Sequence, residues 1–130
     1  MGGLAMREII RAGIGAAAAC GWLLTGVAAS GAAGALAIGS CAAYGYAYDY
    51  PSVEEAQAAA LAKCTGPCNQ VVTTEKGCVA FAVDGHKPCG PNGFANAPRL
   101  GAAQNSALKL CYKYGGKDCV IRAWICDGKG

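Results

Sequence analysis

After residue 33 the chain alternates between short apolar runs and turn-rich breaks. Residues 34–39 form one such run, short enough for a buried strand. Tyr44, Tyr46, Tyr48 and Tyr50 then alternate with Ala43, Gly45, Ala47 and Asp49. That period predicts a second strand with its tyrosine rings on one face. Pro51 and Ser52 announce a helix, with Ser52 as N-cap and Glu55 three residues on as its capping-box partner. Glu54 and Glu55 sit favourably at the positive helix end. The helix runs to Lys63 and is stopped by Thr65-Gly66-Pro67. The β-branched residues 71–74 follow as a strand. The order then recurs: strands over 79–83 and 94–96, a helix from Arg99 to Leu110, a break at Gly115-Gly116, and a strand over 120–125.

The recurrence extends to individual residues. Gly45-Tyr46-Ala47 matches Gly93-Phe94-Ala95. Ala56-Gln57, Ala60-Leu61 and Cys64 match Ala103-Gln104, Ala107-Leu108 and Cys111. Cys41 falls opposite Cys89, and residues 35–39 resemble 80–84. Val53, Ala56, Ala60, Leu61 and Cys64 share one helix face; Leu100, Ala103, Ala107, Leu108 and Cys111 share the equivalent face. Two copies are fewer than a solenoid requires. The pattern therefore predicts a small disulfide-rich α+β domain of two related strand–strand–helix–strand halves, over about 34–76 and 78–126. Its sheet is mainly antiparallel, with two helices packed on it.

Residues 1–32 have a different character and read as a secretory signal. Arg7 and Arg11, partly offset by Glu8, precede an apolar stretch over 12–27. The small residues Val27-Ala28-Ala29-Ser30-Gly31-Ala32 suit cleavage at 29/30 or 32/33. A retained membrane anchor is the rival reading, but the Ala/Gly-rich run is a weak span. Lipidation is the other. Cys20 follows Ala17-Ala18-Ala19, without a large aliphatic residue three positions before it; Cys41 follows the better-suited Ile38-Gly39-Ser40 but lies late for a signal. The mature domain, 33–130, is expected in the periplasm or outside the cell, with no stable membrane span.

Composition narrows the partners. A chain of 130 residues with 54% hydrophobic and 15% charged residues points to one packed domain rather than disorder. A net charge of +3 is too mild for nucleic-acid binding through a basic stripe. Removing the signal removes Cys20 and leaves Cys41, Cys64, Cys68, Cys78, Cys89, Cys111, Cys119 and Cys126. An even count in a short exported domain reads as a disulfide framework, although eight cysteines allow 105 pairings. The repeat favours joining each helix-end cysteine to the next strand start, 64–68 and 111–119. Cys41–Cys89 would then cross the two halves, and Cys78–Cys126 would tie the middle of the chain to its end. Zinc is disfavoured, because the spacings lack a Cys-x2-Cys knuckle and there is one histidine. No cofactor is expected.

The same residues resemble a bacterial exported family, domain of unknown function 4189. The resemblance rests on residues 34–38, the run Tyr44-Gly-Tyr-Ala-Tyr48, the helix Glu54 to Cys64, the start at Cys68, Gly77-Cys78-Val-Ala-Phe-Ala-Val83 and the terminal Arg122-Ala-Trp-Ile-Cys126. It covers nearly all of the mature chain. It implies a small exported disulfide-bonded domain and brings no catalytic residues. It also implies a four-cysteine core matching 64, 68, 78 and 126, which supports 64–68 and 78–126 and makes 41–89 and 111–119 additions. The segment 84–90, with His86 and Pro88, is less typical of the family.

Few residues invite a functional role. Tyr44, Tyr46 and Tyr48 offer an aromatic strip for a protein or glycan, since tyrosine joins apolar area to a polar tip; at least two rings are expected in solvent. Packing of all the rings in the core is the alternative. Arg122 and Trp124 alternate on the last strand and would share a contact face. His86 is the sole histidine and the one natural general base, yet its Gly/Pro-rich surroundings read as a surface turn. Glu54 and Glu55 are adjacent on a helix, where side chains diverge by about 100°, so capping explains them better than paired catalysis. Lys109, Lys113 and Lys117 read as a solvated edge. The leading expectation is a non-enzymatic, disulfide-stabilised interaction or inhibitor-like domain. A small secreted hydrolase is the alternative, and a redox or metal-handling protein the third.

Overall fold

The computed structural model describes residues 32–127. The expected signal segment and its cleavage positions lie outside the described residues, apart from Ala32. The element order is β1 (Ala33–Gly39), β2 (Tyr44–Tyr50), α1 (Val53–Ala62), β3 (Cys68–Glu75), β4 (Cys78–Asp84), β5 (Asn92–Ala97), α2 (Leu100–Lys113) and β6 (Cys119–Cys126). Each half is strand–strand–helix–strand, and the chain is an α+β domain. The antiparallel strands divide between two three-stranded sheets, ordered β2-β1-β3 and β5-β4-β6. The first strand of each half is therefore the centre of its sheet.

The central strands explain how the layers stack. Both β1 and β4 are buried along their whole length. Their side chains alternate by size. In β1, Leu36 and Ile38 face the other sheet, while Ala33, Ala35 and Ala37 face α1. In β4, Val79, Phe81 and Val83 face the other sheet, while Cys78, Ala80 and Ala82 face α2. Large side chains fill the space between sheets, and alanines let the helices lie close. Ala123 and Ile125 of β6 complete the inter-sheet cluster.

Two equivalent glycines carry the close approach to its limit. A Cβ added to Gly45 would lie 2.6 Å from the backbone nitrogen of Cys64, and one added to Gly93 would lie 2.6 Å from that of Cys111. Each helix C-terminus thus rests directly on the second strand of its own half. Only a residue without a side chain fits there. The buried helix positions fall on the expected faces: Ala56 and Ala60 in α1, and Ala103, Ala107 and Cys111 in α2; Leu61, expected on the α1 face, is instead 40% exposed. Ser52 caps α1 by accepting the Glu55 amide at 3.1 Å. Helix α2 continues one turn past the expected end, to Lys113, before Gly115 at φ 105° turns the chain.

The cysteines join as Cys41–Cys89, Cys64–Cys68, Cys78–Cys126 and Cys111–Cys119. These are the pairs favoured by the repeat. Two of them staple a helix end to the next strand. Cys78–Cys126 links register partners on β4 and β6, and Cys41–Cys89 joins the β1–β2 turn to the β4–β5 loop.

Candidate functional site

Strand β2 is an edge strand, and its inner positions Gly45 and Ala47 are buried under α1. Tyr44, Tyr46 and Tyr48 must then project from the opposite face. Tyr44 is half-buried against the inter-sheet core. Tyr46 and Tyr48 are 44% and 52% exposed, so two rings do stand in solvent. The three rings form a ladder. Centroids lie 6.4 Å apart for Tyr44 and Tyr46 and 6.2 Å apart for Tyr46 and Tyr48, the latter pair only 4° from parallel.

Tyr50 does not join them. Asp49 adopts a left-handed backbone at φ 63°, and the pairing of β1 with β2 shifts register between Ala33 and Ala35. Alternation breaks there, and Tyr50 packs on the α1 side against the alanine cluster. Four regularly spaced tyrosines in sequence are therefore three in space.

Two cations border the ladder. The Arg122 guanidinium lies 5.1 Å from the centroid of Tyr44, and Lys63 Nζ lies 5.8 Å from that of Tyr46. Arg122 Nε also donates to the carbonyl of Ala42 at 3.2 Å. Sequence reasoning placed Arg122 at a site but missed Lys63; the signal available was its position one residue beyond the helix that packs on Gly45.

Arg122 and Trp124 do not share a face. The β4–β6 register runs Phe81 to Ala123 and then Ala82 to Ile121, so Arg122 is the extra residue of a bulge. Arg122 is exposed and turns towards Ala42 and Tyr44. Trp124 pairs with Ala80 and so lies on the α2 side, 50% exposed. Simple alternation along the strand fails at the inserted residue.

His86 sits in the β4–β5 loop with its side chain 82% exposed, and its Nδ1 lies 3.3 Å from Asp118 Oδ2. Asp84 organises this loop. Its Oδ2 accepts the Lys117 amide at 3.1 Å, and its Oδ1 accepts the His86 amide at 2.9 Å. These two donors hold its carboxyl below its ordinary value. Both oxygens of Asp84 are thus occupied by backbone groups. All eight described cysteines are paired, which leaves His86 no thiol partner. Among the described residues no group of three or more His, Cys, Asp or Glu is arranged to hold a metal ion. Glu54 and Glu55 are exposed in the first turn of α1.

Fold and site together define a class: a disulfide-stapled α+β domain of two like halves, with an exposed aromatic ladder on one sheet edge. Residues 33–126 match the family described as Domain of unknown function (DUF4189), and the chain belongs to it. No curated protein and no solved structure matches the chain.

Proposed function

We propose that this protein is an exported, non-enzymatic interaction domain acting in the cell envelope or outside the cell. The observation that carries the reading is the exposed, near-parallel pair Tyr46 and Tyr48. Such rings gain contact area with little loss of side-chain freedom, and tyrosine is enriched where surfaces bind. Lys63 and Arg122 add positive charge along the same strip. The partner is a protein or a glycan, and the flanking cations favour an acidic one. An inhibitor-like role towards an envelope or secreted enzyme is one form of this function. Export is supported by four disulfides in a domain this small and by the signal-like character of residues 1–32.

The test is a photo-crosslinking side chain installed at position 48 in exporting cells, with Lys109 as the control position. Labelling of a discrete partner from position 48 and not from 109 supports the reading. Equal labelling from both, or a labelling pattern unchanged by Tyr46→Ser, contradicts it.

A second reading, a small secreted hydrolase, rests on the approach of His86 to Asp118. It needs a nucleophile or an activated water beside His86, and among the described residues no serine hydroxyl bonds to it.

A further inference from the structure

The outer edge of β2 carries a second kind of information, in its backbone rather than its rings. Tyr44 donates its N–H to Thr65 Oγ1 at 3.2 Å and accepts the Thr65 N–H at 3.1 Å on its carbonyl. Both groups of Tyr44 therefore point away from β1. Antiparallel strands alternate inward- and outward-facing residues. Tyr46 and Tyr48 consequently turn their N–H and C=O to the same outer edge, while Gly45 and Ala47 bond inward to Ala37 and Ala35. Thr65 makes the two bonds that the first residue of a neighbouring strand would make. Beyond it, no described residue is hydrogen-bonded to the edge groups of Tyr46 or Tyr48. Among the described residues the edge is a row with its first rung filled and its next two open.

We infer that these two rungs are filled by β2 of a second copy of this chain, joining two three-stranded sheets into one of six strands. The register follows from the open positions. In an antiparallel twofold pairing centred on Ala47, Tyr46 of one copy lies opposite Tyr48 of the other, and Tyr48 opposite Tyr46. Every open group is then used, the Thr65-capped Tyr44 is not needed, and the interface is self-complementary as a twofold requires. Shifting the pairing by two residues in either direction brings Tyr44 or Tyr50 into it and leaves an open group unpaired.

Charge agrees with this register. Lys63 lies over the ring of Tyr46. Opposite Tyr46 comes Tyr48 of the second copy, followed by Asp49, whose side chain is exposed. Each copy thus brings a cation to the strand end where the other carries a carboxylate. Residues directly paired across strands share a face, so the two ladders merge into one surface of six rings, and both α1 helices lie on the other side. This inference rests on the backbone edge and does not depend on the rings having a further partner.

The test compares Tyr48→Val with Tyr48→Pro in the full exported chain. Both remove the ring. Only proline also removes the outward N–H, and an outward-facing edge position tolerates it. Light scattering across a concentration series is expected to show a dimer for the parent chain and for Tyr48→Val, and a monomer for Tyr48→Pro. Hydrogen exchange on the parent gives an independent readout: the amides of Tyr46 and Tyr48 should gain protection as concentration rises, while Tyr44 stays protected throughout. A parent chain that is monomeric at every concentration overturns the inference. So does loss of the dimer to the same extent in both variants, because that result makes the ring and not the strand edge the contact. Partner labelling at position 48 reads the preceding proposal separately, since it scores a different molecule from the second copy.

Discussion

The amide of Asp49 donates to Oδ2 of Asp127 at 3.0 Å, across a separation of 78 residues. This bond fixes the point where the tyrosine alternation ends. Asp49 makes it from a left-handed conformation, and beyond it Tyr50 packs on the α1 side. Asp127 is 2% exposed and its own amide donates to the Gly77 carbonyl at 2.7 Å. The residue that follows β6 thus reaches the strand that carries the ladder.

Replacing Asp127 by Ala leaves the Asp49 amide without its acceptor. The expected cost is about 1–2 kcal/mol, the scale for a donor left without its partner. Asp127→Asn keeps an acceptor oxygen and is expected to lose less. Urea unfolding of the two variants measures this. Equal stability of Asp127→Ala and the parent would remove the bond from the account.

The glycine contacts give a paired prediction. Gly45→Ala and Gly93→Ala each force a Cβ into the backbone of a helix C-terminus. Each is expected to destabilise by about 2–3 kcal/mol, the scale of overpacking in a rigid site. Gly101→Ala is the contrast, because nothing lies within 4 Å of a Cβ at that helical position. It should stabilise by about 0.5–1 kcal/mol through helix propensity. Thermal unfolding of the three variants should therefore shift in opposite directions. A common sign would count against helices seated on β2 and β5.

Much of this fold is legible in the sequence because each half announces the same order of elements. The Ala-rich helix faces, the Ser52 cap and the apolar runs each announce themselves locally. The division of the strands between two sheets is not local. It depends on Leu36, Ile38, Val79, Phe81 and Val83 meeting across the halves, a contact that alternation within one strand does not reveal. The site was partly legible for the same reason. Period two identifies Tyr44, Tyr46 and Tyr48, but it also predicts that Tyr50 joins them and that Arg122 shares a face with Trp124. Both fail where the chain departs from regular pairing: at the left-handed Asp49 and at the bulge carrying Arg122. A bulge is one extra residue opposite one partner, so it becomes visible only once the partner strand is known.

Acid should loosen the β4–β5 loop. The folded pKa of Asp84 is depressed, by the Lys117 amide first and the His86 amide second. A depressed carboxyl contributes stability that is present above its unfolded value and lost as pH falls through its folded value. Protection of the His86 and Lys117 amides, measured against other amides, is therefore expected to fall as pH drops below the ordinary carboxylate range. Asp84→Asn should abolish that acid-linked change. Its persistence in the Asn variant would assign the loosening to another group.

The disulfides should differ in what they contribute. Cys41–Cys89 spans 48 residues and Cys64–Cys68 spans 4. In the chain-entropy model, removing the first costs about 4 kcal/mol and removing the second about 2 kcal/mol. Paired Cys→Ser variants compared in guanidinium test the order. The reverse order would mean that the staple between halves is dispensable to the fold.

The most direct measurement is the intact mass of protein recovered from its native export route, alkylated before and after reduction. The account predicts a chain starting near Ser30 or Ala33 that takes up no label before reduction and eight labels after it, one for each of the eight cysteines from Cys41 to Cys126. An uncleaved chain that labels freely without reduction would contradict it, because neither the exported scaffold nor a tyrosine ladder held by that scaffold would then stand.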